Sequence, residues 1–287
     1  MVSGLLLVDK PKGLTSMEVV EGIKRRFRLK AGHAGTLDPI ATGLLLILVG
    51  EATKFSHFFI GMDKAYSTKV KLGEITQTYD AEGVLVEKRS VDVSCDDVMR
   101  VLGKFIGKLS QIPPPFSAKR IGGERAYNLA RRGLKVDLKP VQVQVYRAEL
   151  LSCQLPYVEL YLEVSSGTYI RSLVHDIGFE LSCGAHVVEL RRLKVGRFTV
   201  EKAISYEKIL GAESIEGFII PIEEALDFMP EISLRGELSR RVRSGAKIRL
   251  REALNKTFVR LYADGNFIGV GLIEGNVLKP YRLMQGL

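Results

Sequence analysis

Cysteine is scarce in this chain. Its 287 residues include three, Cys95, Cys153 and Cys183, too few and too widely spaced for a disulfide framework, and no C-x-x-C pair suggests a zinc site. Each reads as a small buried apolar residue, and a reducing, cytoplasmic setting is expected. Long apolar runs are missing too. The longest aliphatic stretch, LLLILV at 44–49, is far short of the roughly 20 residues that span a bilayer, so no membrane association is expected. The opening MVSGLLLVDK has no basic segment ahead of its apolar one and reads as a strand, not a signal peptide. Nucleotide-binding signatures are absent: there is no P-loop, and no G-x-G-x-x-G opens a helix after a strand. The zinc-deaminase pair H-x-E and P-C-x-x-C is missing, as is H-E-x-x-H. The four histidines, His33, His57, His175 and His186, are scattered without metal-ligand spacing. Neither a metal nor a cofactor is expected.

What the chain has is positive charge. Lys and Arg number 42 against 33 Asp and Glu, a net +9. That balance favours a polyanionic partner such as nucleic acid, although a soluble basic protein without one has the same composition. The charge is unevenly spread. Residues 207–231 carry seven acids and one lysine, whereas 232–287 carry eleven Lys+Arg and four Asp+Glu, net +7. The change near Pro230 suggests two domains, 1–230 and 231–287. The second reads as short strands joined by D-G and E-G-N turns, either a basic binding module or a solvated sheet. A further basic concentration, FSAKRIGGERAYNLARRGLKVDLK at 116–139, holds seven Lys+Arg and two acids. With Phe116 and Tyr127 interleaved, it suits phosphate contacts and base stacking, or is an exposed amphipathic helix.

Hydrophobic patterning indicates an α+β fold. GLLLVDK and GLLLILVG read as buried strands, and KAYSTKVKLG alternates with a basic outer face. VQVQVYRAELLSC and YVELYLEVSSG alternate strongly and are expected to be antiparallel neighbours. TSMEVVEGIKRRF, SCDDVMRVLGKFIGKL and TYIRSLVHDIGFELSC have helical spacing, the first two with Thr15 or Ser16 and with Ser94 as caps. No strict βαβ rhythm appears, so the sheet should be mixed or antiparallel.

One stretch resists a purely structural reading. AGHAGTLDPIATG at 31–43 follows KRRFRLK, five basic residues in seven, and Asp38 is its only carboxylate between Glu21 and Glu51. A carboxylate kept ionised can act as a nucleophile or a base. A nearby arginine would keep it so and orient it, and Arg171 in SSGTYIRSL is the candidate. Alternatively, Asp38 merely closes a turn before Pro39.

AGHAGTLDPIATGLLLILVGEATK resembles the catalytic motif of the TruB-type tRNA pseudouridine synthases. LLVDKPKGLTS, DKAYSTKVKLGEITQTYDAEG, IPPPFSAKRIGGERAYNLARRG and SSGTYIRSLVHDIGFELSCGAHVVELRRLKVG resemble further motifs of that family, in order, and the tail resembles a PUA domain, a small β-barrel-like RNA-binding module. The resemblance covers nearly the whole chain. It implies a catalytic domain at 1–230 with an RNA-binding insertion at about 114–142, and a PUA-like domain at 231–287. The implied reaction isomerises uridine-55 in the T-loop of tRNA to pseudouridine without cofactor or metal. By the same resemblance Asp38 is the essential aspartate, acting on the uracil ring, on the sugar, or as a base that generates a glycal. Tyr66 would stack on the target base and assist catalysis, Arg171 would pair with the aspartate, and Tyr169 and Leu190 would line the uracil pocket. His33 would help hold the loop with its base flipped out, and Lys119, Arg120, Arg131 and Arg132 would contact RNA. Arg120 stands where many members have lysine. The expected partner is the tRNA T-stem-loop, with a monomeric enzyme and no obligate protein partner. The related dyskerin-type synthases, guided by small RNAs, lack this type of insertion. A non-catalytic tRNA-binding or folding protein is the alternative. The basic run at 24–30 is expected near the RNA, with the glycines letting the aspartate loop approach it.

Overall fold

The computed structural model describes residues 2–117, 119–134 and 136–284. Seven strands, β1 (Gly4–Lys10), β2 (Ala41–Val49), β3 (Lys64–Leu72), β4 (Gly107–Gln111), β5 (Val141–Gln154), β6 (Tyr157–Val164) and β7 (Ala185–Val195), make up the main part of an eleven-stranded sheet, in the order β1-β2-β7-β3-β6-β5-β4, with four two- or three-residue strands added to it. Within this series only β2 and β7 run parallel; the other neighbours are antiparallel. The expected mixed sheet and the β5/β6 pairing are both present.

The LLLV and LLLILV runs are continuous because both faces of β1 and β2 are covered. Leu6, Val8, Leu45 and Ile47 point into one core with the helices. Leu5, Leu7, Leu44, Leu46 and Leu48 point into another with Phe55, Phe59 and Phe198. Period-2 alternation thus sorts adjacent leucines to opposite faces. Helix α1 (Ser16–Phe27) begins with a capping box between Thr15 and Glu18 and buries Val19, Val20 and Ile23. This satisfies orphan amides at its start and fixes its direction. Helix α2 (Cys95–Lys104) has the matching box from Ser94 and Asp97. It ends earlier than its apolar spacing predicts: Gly107, at φ +123°, turns the chain, and residues 107–111 become edge strand β4. Helix α3 (Ile170–Glu180) buries Ile170, Leu173, Val174 and Ile177 against the sheet.

The cysteine expectation is corrected. Cys95 and Cys153 form a disulfide, with Cα atoms 6.0 Å apart across 58 residues of sequence. The start of α2 docks on the end of β5, a tertiary contact that cysteine spacing cannot reveal. Cys183 is free and buried, as expected.

The C-terminal part contains β8 (Glu231–Leu234), α4 (Gly236–Arg243), β9 (Ile248–Ala263) and β10 (Asn266–Leu283). They form a three-stranded sheet over a core that includes Leu234, Val242, Val259, Leu261 and Ile273. Asp264 and Gly265, at φ 52° and 85°, make the hairpin turn, consistent with the positive φ values a tight D-G turn needs. The expected E-G-N turn is not one. Gly275, at φ +61°, sits in a register shift opposite Leu254, so two long bulged strands replace several short ones and curl the sheet into half a barrel. Phe267 and Val270 of β10 enter the core behind β1 and β2, so this sheet is packed on the main one.

Candidate active site

Asp38 lies in the loop between the short strand Ala31–His33 and β2. The loop leaves the sheet after Ala34, whose N–H still donates to the Leu46 carbonyl, and returns at Ala41. Leu37 and Ile40 are buried and anchor it from below. Its backbone is held at several points. Ser16 at the start of α1 both receives the Leu37 N–H (2.8 Å) and donates to the Leu37 carbonyl (3.0 Å). Ala41 N–H donates to the Asp38 carbonyl, and Gly13 N–H to that of Pro39. Lys10, completely buried, donates from Nζ to the carbonyls of Leu14, Pro11 and Pro39. Burial pushes its pKa down to about 8, an effect partly offset by the negative charge of Asp38 and reinforced by Arg192.

The Asp38 side chain, 36% exposed, faces a cavity of about 680 Å³, whose wall includes His33, Asp80, Glu82, Phe116, Tyr127 and Arg171. Arg171 Nε is 2.9 Å from Asp38 Oδ2, an ion contact without an aligned hydrogen bond. The remaining guanidinium nitrogens are anchored. Nη1 donates to the Thr78 carbonyl (2.9 Å) and lies 3.3 Å from Asp80 Oδ2, and Nη2 donates to the Phe116 carbonyl (3.0 Å). The arginine is buried and spans two carboxylates of the cavity wall, one partly exposed and one buried. A planar fork can do this and an ammonium cannot. Asp80 is itself oriented by the Thr78 hydroxyl and the Glu82 N–H. Glu82 is pushed up from its ordinary pKa by burial, and further by the charges of Asp80 and Asp38.

The residues singled out in the sequence divide by position. Asp38, His33 and Arg171 meet at the cavity. Tyr66 is buried on β3 and Leu190 on β7, both in the core under the loop; Leu190 pairs with Ala41 in the sheet, three residues past the aspartate. Tyr169 precedes α3, with its N–H on Gln111 Oε1 and its carbonyl receiving Gln111 Nε2. Burial raises the pKa of its hydroxyl. Lys119 is half-buried and Arg132 is exposed, paired with Glu124 at 2.7 Å. The side chains of Arg120 and Arg131 lie outside what the structure describes.

The basic run 24–30 is not beside the aspartate. Thr15, Ser16 and Met17 line the cavity, so the run begins at the other end of α1, about 12–15 Å away at 1.5 Å per residue. There Arg26 donates to the carbonyls of Leu210 and Ala212. The glycines also serve the interior. Gly43, at φ +99°, pairs with Arg192 across the β2/β7 ladder, where a Cβ would come within 2.3 Å of the Arg192 carbonyl oxygen. Asp80, Lys10 and Arg192 escaped the sequence reading. Asp80 stands within the quoted QTYDAEG, but nothing in one sequence shows that a turn will aim it at Arg171.

Comparison with known proteins covers nearly the whole chain. The TruB family pseudouridylate synthase N-terminal domain matches residues 23–170. The tRNA pseudouridylate synthase B C-terminal domain matches 171–227, and the C-terminal domain of pseudouridine synthase II TruB matches 230–284. The tRNA pseudouridine synthase B of Aquifex aeolicus is 48% identical over 99% of this chain and 100% of its own, and that of Clostridium tetani 43% identical over 99% and 100%. Among solved structures, an H/ACA ribonucleoprotein bound to a substrate RNA containing 2'-deoxyuridine superposes with TM-score 0.73 at 25% identity, covering 99% of this chain and 85% of its own. A Cbf5-Nop10-Gar1 complex gives 0.70 at 26%, covering 95% and 79%. From end to end, the chain belongs to the TruB family of pseudouridine synthases.

Proposed function

We propose that this enzyme isomerises uridine-55 in the T-loop of tRNA to pseudouridine, with Asp38 as the reacting carboxylate. The observation that carries the reading is the Asp38–Arg171–Asp80 chain at the wall of an open cavity. The N1–C1′ bond of the target nucleoside breaks, the uracil turns, and a C5–C1′ bond forms; the proton lost from C5 is balanced by the one gained at N1. Asp38 starts this by attacking the uracil ring or the sugar, or by taking a proton from the sugar. In each case Arg171 holds it at a fixed angle.

The target base must leave the folded loop to reach the cavity. Flipping costs a few kcal/mol, which stacking at about 1–3 kcal/mol per base and phosphate contacts can offset. Tyr66 and Tyr169 supply aromatic surface, Leu190 closes the uracil site, and His33 holds the loop. Lys119, Arg120, Arg131 and Arg132 meet phosphates from the insertion at about 114–142. The basic PUA-like domain, beginning near Pro230, extends the RNA contact. Among the described residues no helix is long and apolar enough to cross a membrane. We assign the enzyme to the cytoplasm, where its substrate is made, acting as a monomer without an obligate protein partner. The test is to incubate purified protein with unmodified tRNA transcript and map pseudouridine. Conversion at the T-loop uridine supports the reading; tRNA binding with no conversion would favour a non-catalytic folding protein.

A further inference from the structure

Residues 191 and 192 are consecutive arginines with opposite fates. On one face of β7, Arg191 grips Asp9 with two contacts of 3.0 and 2.7 Å and remains partly exposed. On the other face Arg192 is 1% exposed, the largest of the fully buried side chains. Among the described residues it has no carboxylate partner. Its donors go to main-chain carbonyls: Nε to Leu44 (2.7 Å), Nη2 to Gly35 (3.0 Å) and Nη1 to Thr36 (3.3 Å).

A buried guanidinium without a counter-ion is costly, and a leucine or methionine would fill the space without that cost. Two of the three carbonyls belong to the loop that carries Asp38, immediately before it. Arg192 also pairs directly with Tyr66 across the β7/β3 ladder and with Gly43 across the β7/β2 ladder. Gly35, at φ +100°, presents its Cα side to Arg192 Nη1, where a Cβ would sit 3.7 Å away. Each carbonyl from 35 to 39 therefore has a donor: Arg192 for 35 and 36, Ser16 for 37, Ala41 for 38, and Gly13 with Lys10 for 39. Arg192 is the part of this cage that reaches across the sheet.

We propose that Arg192 is a positioning residue for catalysis: by holding the carbonyls of Gly35 and Thr36 it fixes the loop so that the Asp38 carboxylate meets Arg171 and the target nucleoside. The inference rests on Asp38 being the reacting group. It predicts a loss in the chemical step rather than in tRNA binding, because Arg192 touches neither solvent nor the cavity.

The experiment measures single-turnover pseudouridine formation on tRNA transcript, tRNA Kd and the thermal midpoint for wild type, Arg192→Lys and Arg192→Met. Lysine keeps the charge but cannot present the planar fork that serves carbonyls on two segments. Arg192→Lys should fold, bind tRNA within about twofold of wild type, and react about tenfold more slowly, a typical cost of roughly one lost charge-assisted hydrogen bond. Arg192→Met should lose a further tenfold where it folds; if it does not fold, the lysine variant decides. A folded Arg192→Lys enzyme with the wild-type single-turnover rate would overturn the proposal. So would a rate loss matched by an equal loss of tRNA affinity. If wild type itself forms no pseudouridine, the assignment of the reaction fails instead, and the variants' thermal midpoints still report the cage.

Discussion

The aspartate loop and the basic arm at 116–139 both belong to the proposed RNA-facing side, and they are built on opposite principles. In the loop five consecutive carbonyls are each held by a donor from β1 and the turn after it, from α1, from the start of β2 or from β7, and the flanking side chains are buried. The arm contains a two-residue ladder, Arg120–Ile121 with Glu124–Arg125, and a helix at Ala126–Arg131. Many of its described bonds close on the arm, such as Ala126 N–H to Lys119, Tyr127 N–H to Ser117, and Arg132 to Glu124. It is tied to the body near its root, where Arg171 holds the Phe116 carbonyl and Ser172 donates to that of Ile112. A reacting group must be fixed to a fraction of an ångström, whereas a phosphate contact needs only charge that can exchange water or a weak surface partner for RNA. The difference predicts which substitutions should act on rate and which on affinity.

The largest effect belongs to the loop. Asp38→Asn keeps size and packing but removes nucleophile and base. Turnover should fall by about 10⁴-fold or more, on the scale of deleting a directly acting residue, while tRNA affinity stays near wild type. Turnover by pure variant protein within about tenfold of wild type would take Asp38 out of the chemistry. Arg171→Lys comes next. The ammonium cannot span Asp38, Asp80 and the two carbonyls together, so the rate should fall about 100-fold, some 2.7 kcal/mol, with the charge conserved. A wild-type rate for this variant would reduce Arg171 to a packing role. Ser16→Ala then tests the cage where no charge is involved. It leaves the buried Leu37 N–H and carbonyl without their partner, which costs about 1–3 kcal/mol. Its rate should drop about tenfold at unchanged tRNA affinity, read by single-turnover kinetics beside a thermal melt.

How far this contrast could be read from the sequence depends on whether the cause is local. Period-2 alternation and capping chemistry act within a few residues, so the strands around β5 and β6 and the start of α1 at Thr15 were legible. The end of α2 was not, because Gly107 competes with an apolar spacing that continues past it. Asp38 and Arg171 stood out as an isolated acid and a helix-start arginine inside specific motifs. What joins them is tertiary: Asp80 comes from a turn after β3, Lys10 from the end of β1 and Arg192 from β7. The glycines of AGHAGTLDPIATG illustrate the limit. Their presence signals close approach, but only the β2/β7 register shows that at Gly43 the approaching group is the Arg192 backbone rather than RNA.

The smallest effect should come from the arm. Lys119→Ala with Arg132→Ala removes two cations and no group placed in the chemistry. Arg132 is already paired with Glu124 on an exposed surface, an interaction worth about 0–1 kcal/mol, so giving it up to a phosphate costs little. Loss of the contacts should weaken tRNA binding several-fold at moderate salt, with single-turnover rate at saturating enzyme unchanged. The decisive quantity is the salt dependence. Each phosphate contact contributes about −0.7 to −0.9 to the slope of log K against log salt, so the double variant should flatten that slope by about 1.4–1.8. If affinity falls with the slope unchanged, the two cations act through the fold of the arm and not through phosphate. If the slope flattens and the saturating rate falls as well, the arm also helps to place the substrate, and the division between a rigid reacting loop and an exchangeable binding arm would not hold.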